Sequence, residues 1–405
     1  MAKPARETAA STPTAQPSLH ELGRRLREVE AQGLTRALRP IGPANGPRVT
    51  IGGRPCLLMA SNDYLGLNQH PRLAEAALEA ALTQGAGSGA SRLISGTLDA
   101  HARLEKEIAA FKSAEAALFM ATGYMTNLSV ITGLAGPGDL IVSDRLNHAS
   151  IIDACRLSRA QVKIYAHGDA DEAGRRLREN QGGIKLLVTD GVFSMDGDLA
   201  PLPELLQAAQ ANGALLVVDD AHGTGVYGKR GRGTLEHFGL TPAPELVMVG
   251  TFSKALGGLG GFCAASRPVI DMLVNRARPF LYSTAPPPAQ IAAALAGLAL
   301  VDEEPHLRQR LHALCGRLRE GIGRLGLRVI SSQGPIVPVL VGEARQALAL
   351  AQALLERGVY APAIRPPTVP EGTSRLRLTV TAAHAPQDID QALEALAGAV
   401  REAGL

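Results

Sequence analysis

The sequence predicts an α/β fold: a large, mostly parallel sheet flanked by helices, followed by a smaller C-terminal α+β domain. Three observations carry that reading. From about residue 70 to 270, helical stretches alternate with short apolar segments, the order expected of strand–helix–strand crossovers. Five of the apolar runs end in polar or titratable residues, as strands do at the ligand edge of an open parallel sheet. Beyond "STAPPPAQ" the texture changes to a long helical stretch and then mixed strands and helices.

Taken in order, residues 1–17 form a tail rich in Ala, Thr and Pro without an apolar block, which reads as disordered and not as a secretory signal. An organellar address is the lesser reading of its composition. Residues 18–58 hold a helix, "LHELGRRLREVEAQGLTRAL", and a hairpin in "RVTIGGRPCLLMASNDYLG". Residues 59–288 form the large domain, and 289–405 the small one, with a boundary near Pro286 to Pro288. In the small domain, strands are expected at "RVISS", "IVPVLVG" and "SRLRLTVTA", with helices at "ARQALALAQALLERG" and at the C-terminus.

Composition excludes several classes of function. A formal charge of +3 is too small for a nucleic-acid partner, and 3% aromatics with no Trp leave nothing on which bases could stack. The four cysteines form no CxxC pair, which argues against a metal site or a disulfide framework and fits a cytoplasmic protein. The run Ile291 to Val301 is too short to span a membrane. "GTGVYG" and "GAGSGA" match dinucleotide-binding glycine patterns but lack the strand–turn–helix setting that such a site needs.

The five runs deliver Gly123 and Tyr124, His148, Ser194, Asp219 with His222, and Thr251 with Ser253 and Lys254. Together they describe one composite pocket. Of 41 basic residues only seven are lysines, and Lys254 sits in "GTFSKALGGLGG" among five glycines. An amine can lose its proton and attack a carbonyl, which a guanidinium cannot. The glycines would let the backbone approach a ligand closely. Asp219 and Asp220 alternate along a strand, so only one of them can face the pocket. These groups meet the demands of pyridoxal 5′-phosphate: an amine for the aldehyde, a carboxylate for the ring nitrogen, and N–H and hydroxyl donors for the phosphate.

From about Leu19 to the C-terminus the chain resembles the α-oxoamine synthase family of fold-type I pyridoxal-phosphate enzymes, whose fold is aspartate aminotransferase-like. The resemblance rests on "SNDYLGL", "GSGASRLISGT", "DRLNHAS", "DGVFSMDGDLAPL", "VDDAHGTGVYGKRGRGT", "TFSKALG", "YSTAPPPAQ" and "IRPPTVPEGTSRLRLTVTAAH". Asp190 departs from it, standing where a glutamate is often found. The resemblance implies that Lys254 carries the cofactor as a Schiff base and later moves the substrate α-proton. It implies that Asp219 pairs with the ring nitrogen, that His222 meets the ring oxygen and that His148 stacks on the ring. Gly123, Tyr124, Ser194 and Thr251 would complete the cofactor site.

For the substrate it implies Arg365 as the clamp on the amino-acid carboxylate, with Asn62, Thr368 and Arg377 as further contacts. Arg36 would read the far carboxylate of the acyl chain. "DDAHGTG" and the "RPPTVP…SRLRLT" block lean toward the branch that joins L-alanine to a pimeloyl thioester, carried on coenzyme A or on an acyl carrier protein. That branch serves biotin biosynthesis. The proton donor to the forming product would be His148 or His222. A homodimer is implied, with Ser283 and Thr284 reaching the neighbouring subunit's phosphate. The alternatives are relatives joining glycine to acetyl-CoA or succinyl-CoA, or serine to a long acyl chain. More distant is a cofactor-binding protein without turnover.

Overall fold

The computed structural model describes residues 17–36, 38–42, 46–179, 182–330 and 332–403. The expected tail lies outside these residues except for Pro17, where the first helix, Pro17–Ala31, begins. That helix stops short of the expected "GLTRAL". Gly33 takes a left-handed conformation (φ 64°), and the Leu34 N–H turns back to the Val29 carbonyl, which ends the helix. A hairpin follows, β1 (Arg48–Ile51) and β2 (Arg54–Leu58), turning through Gly52 and Gly53, both at positive φ.

The large sheet has seven strands: β3 (Ala116–Met120), β4 (Leu140–Asp144), β5 (Gln161–Tyr165), β6 (Lys185–Asp190), β7 (Leu215–Asp219), β8 (Leu246–Thr251) and β9 (Gly261–Ala265). Their spatial order is β3-β9-β8-β7-β6-β4-β5. Strands β4 to β8 pair in parallel, and β9 runs antiparallel to both β8 and β3. The carboxyl ends of β3, β4, β6, β7 and β8 therefore share one edge. Side chains divide by parity: Leu216 and Val218 enter the core on one face, Val217 the core on the other. Burial on both faces explains why these strands read as unbroken apolar runs.

A second sheet orders β10 (Ile336–Gly342), β13 (Ser374–Thr379) and β12 (Ala363–Ile364), with β13 antiparallel to both neighbours. The helices Ala344–Glu356 and Pro386–Ala403 pack together beside it. Strand β11 (Val359–Tyr360) instead pairs in parallel with β2, so the N-terminal hairpin is completed by a C-terminal strand. The texture change near Pro286 to Pro288 marks the start of the helix Pro288–Glu303, which packs on Pro71–Gln84 and Asp99–Lys112. The strand expected at "RVISS" is a correction: among the described residues of that stretch, Val329 makes only an isolated bridge to Val339. Ile330 N–H reaches the Pro338 carbonyl, but Pro338 has no N–H to return, so the ladder does not propagate. Among the described residues, no helix is long and apolar enough to cross a membrane.

One buried ion pair ties the helices to the large sheet. Lys112 Nζ lies 2.9 Å from Asp220 Oδ2 and also meets Thr224 Oγ1 at 2.8 Å. Replacing Lys112 with alanine leaves Asp220 buried without a counter-charge. The expected cost is about 3–5 kcal/mol, read as a lower urea midpoint.

Candidate active site

Strand parity decides the fate of the two aspartates at the end of β7. Asp220 turns to Lys112, while Asp219 faces the ligand edge and stays buried. Asp219 Oδ2 accepts a hydrogen bond from Asn127 Nδ2 at 2.6 Å, and Oδ1 accepts one from the Ala221 N–H at 3.0 Å. Asn127 also donates to Ser150 Oγ (2.8 Å), which lies 2.8 Å from His148 Nδ1. Asp190 sits beside Asp219 in the strand register, and its Oδ2 accepts the His148 N–H at 3.1 Å. Burial first, and the Asp219 charge second, push the Asp190 carboxyl well above the usual range. Asp219 accepts two hydrogen bonds, whereas Asp190 accepts one and is the carboxyl pushed toward its protonated form.

At the end of β8, Lys254 Nζ lies 2.8 Å from His222 Nε2. Part of the lysine stem is open to solvent, yet the amine is deep enough that burial lowers its pKa to about 8. Asp219 and Asp190 oppose that shift and Arg377 adds to it. Burial also drives His222 well below its ordinary range, helped by Lys254 and Arg377, so its ring is neutral. The other ring nitrogen, Nδ1, meets the buried Tyr64 hydroxyl at 2.6 Å. Tyr64 lies 3.3 Å from Asn62 Oδ1, which accepts from Arg377 at 3.3 Å, and Arg377 Nε donates to the Ser194 carbonyl at 2.6 Å. Six residues thus form one continuous chain of contacts from the edge of the large sheet, through the segment after β2, to β13.

Two of the glycines around Lys254 have a reason in the fold itself, beside the one read from sequence. Gly257, at φ 67°, would place a Cβ 2.5 Å from the Leu67 carbonyl carbon. A Cβ on Gly261 would come 2.7 Å from the Thr122 carbonyl oxygen. At these two positions glycine lets the turn press against other protein backbone. Thr122 caps the helix Gly123–Leu134, whose first N–H groups are oriented to hold an anion. A Cβ on Gly123 would stand 3.3 Å from Thr251, and Thr251 Oγ1 is braced on the Gly260 carbonyl at 2.7 Å. Tyr124 is exposed, with its hydroxyl on Asp153 and its ring edge-on to His148 at 6.3 Å.

Other expected residues stand apart. Arg365 is half-buried after β12, and its guanidinium has no hydrogen bond or ion pair among the described residues. The exposed Thr368 donates its N–H to the Arg365 carbonyl at 3.1 Å. Arg36 is exposed, and its side chain has no hydrogen bond or ion pair among the described residues. Ser283 and Thr284 lie in the stretch before Pro286, where Thr284 bridges to Ser91. Reading the sequence missed Tyr64, Asn127, Ser150 and the role of Asp190. Tyr64 lay inside the quoted "SNDYLGL", and Asn127 was visible as a polar residue one turn after Gly123 in an apolar helix.

The amine of depressed basicity, the doubly held carboxylate and the helix N-terminus suit a flat ring bearing a carbonyl, a basic nitrogen and an anionic tail. The profile of "Aminotransferase class I and II" matches residues 54–396. The chain belongs to that family. Within the aminotransferase class I and II family, it is 50% identical over 383 residues to 8-amino-7-oxononanoate synthase of Geobacter sulfurreducens, covering 94% of this chain and 98% of that protein. The protein of the same name from Symbiobacterium thermophilum is 46% identical over 382 residues, 94% of this chain and 97% of that one. Among solved structures, Sphingomonas wittichii serine palmitoyltransferase superposes with a TM-score of 0.89 at 32% identity, over 96% and 98% of the two chains. The 8-amino-7-oxononanoate synthase of Francisella tularensis gives 0.75 at 29% identity, over 86% and 99%.

The pairing of Asp190 and Asp219 has a measurable consequence. A carboxyl whose folded pKa is raised stabilises the fold only at low pH and loses that contribution as pH climbs. Asp190→Asn mimics the protonated carboxyl. Its thermal midpoint is expected to equal or exceed wild type at pH 7, with the difference growing in the variant's favour above about pH 4.

Proposed function

We propose that this chain condenses L-alanine with a pimeloyl thioester, releasing carbon dioxide and free thiol and forming 8-amino-7-oxononanoate for biotin biosynthesis. One observation carries the choice of reaction: identity of 46–50% to the proteins of that name from Symbiobacterium thermophilum and Geobacter sulfurreducens, above the 31–32% to serine palmitoyltransferase structures of the same fold. The cofactor is pyridoxal phosphate, and the residues present fit it. When bound, it supplies a protonated ring that accepts the electron pair left on the substrate Cα.

The chain's own groups do the rest. Asp219, fixed by Asn127 and the Ala221 N–H, keeps the ring nitrogen protonated. His222 is held through Tyr64 and offers Nε2 toward the ring oxygen. His148 would cover the ring, and Gly123, Tyr124 and Thr251 would hold the phosphate, with Ser194 lining the site. Arg365, with an uncommitted guanidinium, binds the alanine carboxylate as a two-pronged donor. Lys254, its basicity lowered by burial, takes the proton from Cα and returns one at the end. Decarboxylation draws the condensation forward, and His148 or His222 supplies a proton to the forming enolate. Asn62, Thr368 and Arg377 border the substrate, and Arg36 reads the distal carboxylate of the pimeloyl chain.

A homodimer belongs to the same proposal. Leu93 and Ile94 stand exposed just after Ser91, which bridges to Thr284, and Leu78 and Leu82 stand exposed on the helix Pro71–Gln84; a second copy would cover such apolar side chains. A cytoplasmic setting is supported by four buried cysteines, all free.

Two measurements test the reading. Because only the neutral amine attacks a carbonyl, capture of pyridoxal phosphate by the cofactor-free protein should accelerate with pH through a midpoint of about 8, well below an ordinary lysine. Capture that keeps accelerating toward pH 10 would contradict the low amine pKa. Thiol release from pimeloyl-CoA should depend on L-alanine and exceed that from acetyl-CoA with glycine by at least about 100-fold. The reverse preference would place the chain with the glycine-using relatives.

A further inference from the structure

We infer that His167, outside the cofactor site, is a positioning residue: as an imidazolium bridging Asp144 and Asp198, it fixes the hairpin that carries Ser194 and meets Arg377. The inference rests on the proposed function only for what Ser194 and Arg377 do; the bridge itself stands on geometry.

Both ring nitrogens of His167 face carboxylates. Nδ1 lies 3.1 Å from Asp144 Oδ1, and Nε2 lies 2.8 Å from Asp198 Oδ2. A neutral imidazole has one N–H and would turn its lone pair toward the second carboxylate; only the cation satisfies both. Asp144 ends β4 and is anchored by the N–H groups of Leu146 (2.8 Å) and Gly168 (2.9 Å). Asp198 Oδ1 is shielded and has no hydrogen-bond partner, so among the described residues His167 is the cation on that carboxylate. The ring also packs edge-on against Phe193, 4.3 Å between centroids.

Asp198 and Phe193 belong to a short hairpin after β6. It is closed by the Val192–Leu199 bridge, by Phe193 N–H to the Asp198 carbonyl at 3.0 Å, and by Gly197 N–H to the Phe193 carbonyl at 2.7 Å. Its far side rests on the second sheet. A Cβ on Gly197 would sit 2.8 Å from the Ile336 carbonyl oxygen, Asp196 pairs with Arg375, and the Ser194 carbonyl accepts from Arg377. Arg375 and Arg377 are two apart on β13 and so share a face. The hairpin thus joins the large sheet to the strand bearing Arg377, with His167 as its fastening on the large-sheet side.

The groups facing this bridge are Asp144 from β4, Tyr165 from β5, Asp198 from the hairpin and, behind it, Asp196 with Arg375. Tyr165 is held above its ordinary range by burial and by Asp144, so it remains a neutral phenol. The two carboxylates outweigh burial and raise the His167 pKa from 6.5 to about 10. Since the folded value is the higher one, the bridge stabilises fully below about pH 6.5 and is lost as pH passes about 10.

The test uses the cofactor-loaded enzyme and its His167→Gln, His167→Arg and Asp198→Asn variants. Thermal midpoints are measured from pH 6 to 10.5, and kcat and KM for L-alanine at pH 7.5. His167→Gln should melt several degrees below wild type at pH 6, and the gap should close to about one degree at pH 10.5. Its KM for L-alanine should rise at least about fivefold, with kcat changed less. His167→Arg restores a permanent cation and should recover part of the KM loss without the alkaline transition. A melting gap that stays constant with pH, or a KM within about twofold of wild type, overturns the inference. If His167→Gln does not fold, Asp198→Asn, nearly isosteric at the other end of the contact, decides by the same two readouts. The melting curves answer even if wild type proves inactive toward L-alanine, so failure of the functional reading and failure of the bridge are told apart.

Discussion

Setting an amine deep in protein without giving it a carboxylate partner is the constraint around which this structure is arranged. Lys254 and Lys112 show the contrast. Lys112 meets Asp220, Thr224 and the Arg232 carbonyl, so all three of its donor directions are used. Among the described residues Lys254 Nζ meets only the His222 ring, and the carboxylates of Asp219 and Asp190 act on it from beyond hydrogen-bond reach. The first arrangement is structural; the second leaves the amine ready to shed its proton. Desolvation that would be a liability elsewhere therefore becomes the source of reactivity.

That contrast depends on β7 ending with two adjacent aspartates. Period-two alternation sends Asp220 to the helix side and Asp219 to the ligand edge, so one dipeptide serves both the fold and the site. A one-residue slip in β7 that brought Asp220 to the ligand edge would turn Ala221 toward Lys112 and leave it without its partner. The register is held on both sides, by β6 pairing Asp190 with Asp219 and by β8 pairing Val249 with Asp219. The electrostatics of the site are in this sense a property of sheet register.

Much of this was legible in the sequence because apolar strands of a parallel sheet end where their ligand groups begin. The runs ending at Tyr124, His148, Ser194, Asp219 and Lys254 could be read one at a time, and the sheet order then brings them to one edge. What stayed hidden depends on contacts between distant segments. Tyr64 is joined to His222 across 158 positions, and Arg377 to Asn62 across 315, separations that no local pattern records. The failed strand at "RVISS" was hidden differently: its own residues suit a strand, and the missing donor lies in its neighbour at Pro338. The roles of Arg36 and Arg365 depend on ligands, so pattern and single-chain geometry leave them as proposals.

The contact chain from Lys254 to Ser194 shows why the second sheet belongs to the catalytic unit. His222 and Lys254 come from the large sheet, whereas Arg377 comes from β13; the two meet through Asn62 and Tyr64, just after the hairpin whose edge is completed by β11. The N-terminal hairpin is tied to C-terminal chain before the site residues are reached. The Ser194 hairpin makes the second crossing, carrying the end of β6 onto β13. Two independent crossings at the same arginine restrict both the position and the tilt of its guanidinium. A single contact would leave it free to swing, whereas two from different segments hold the guanidinium in one geometry before any ligand arrives.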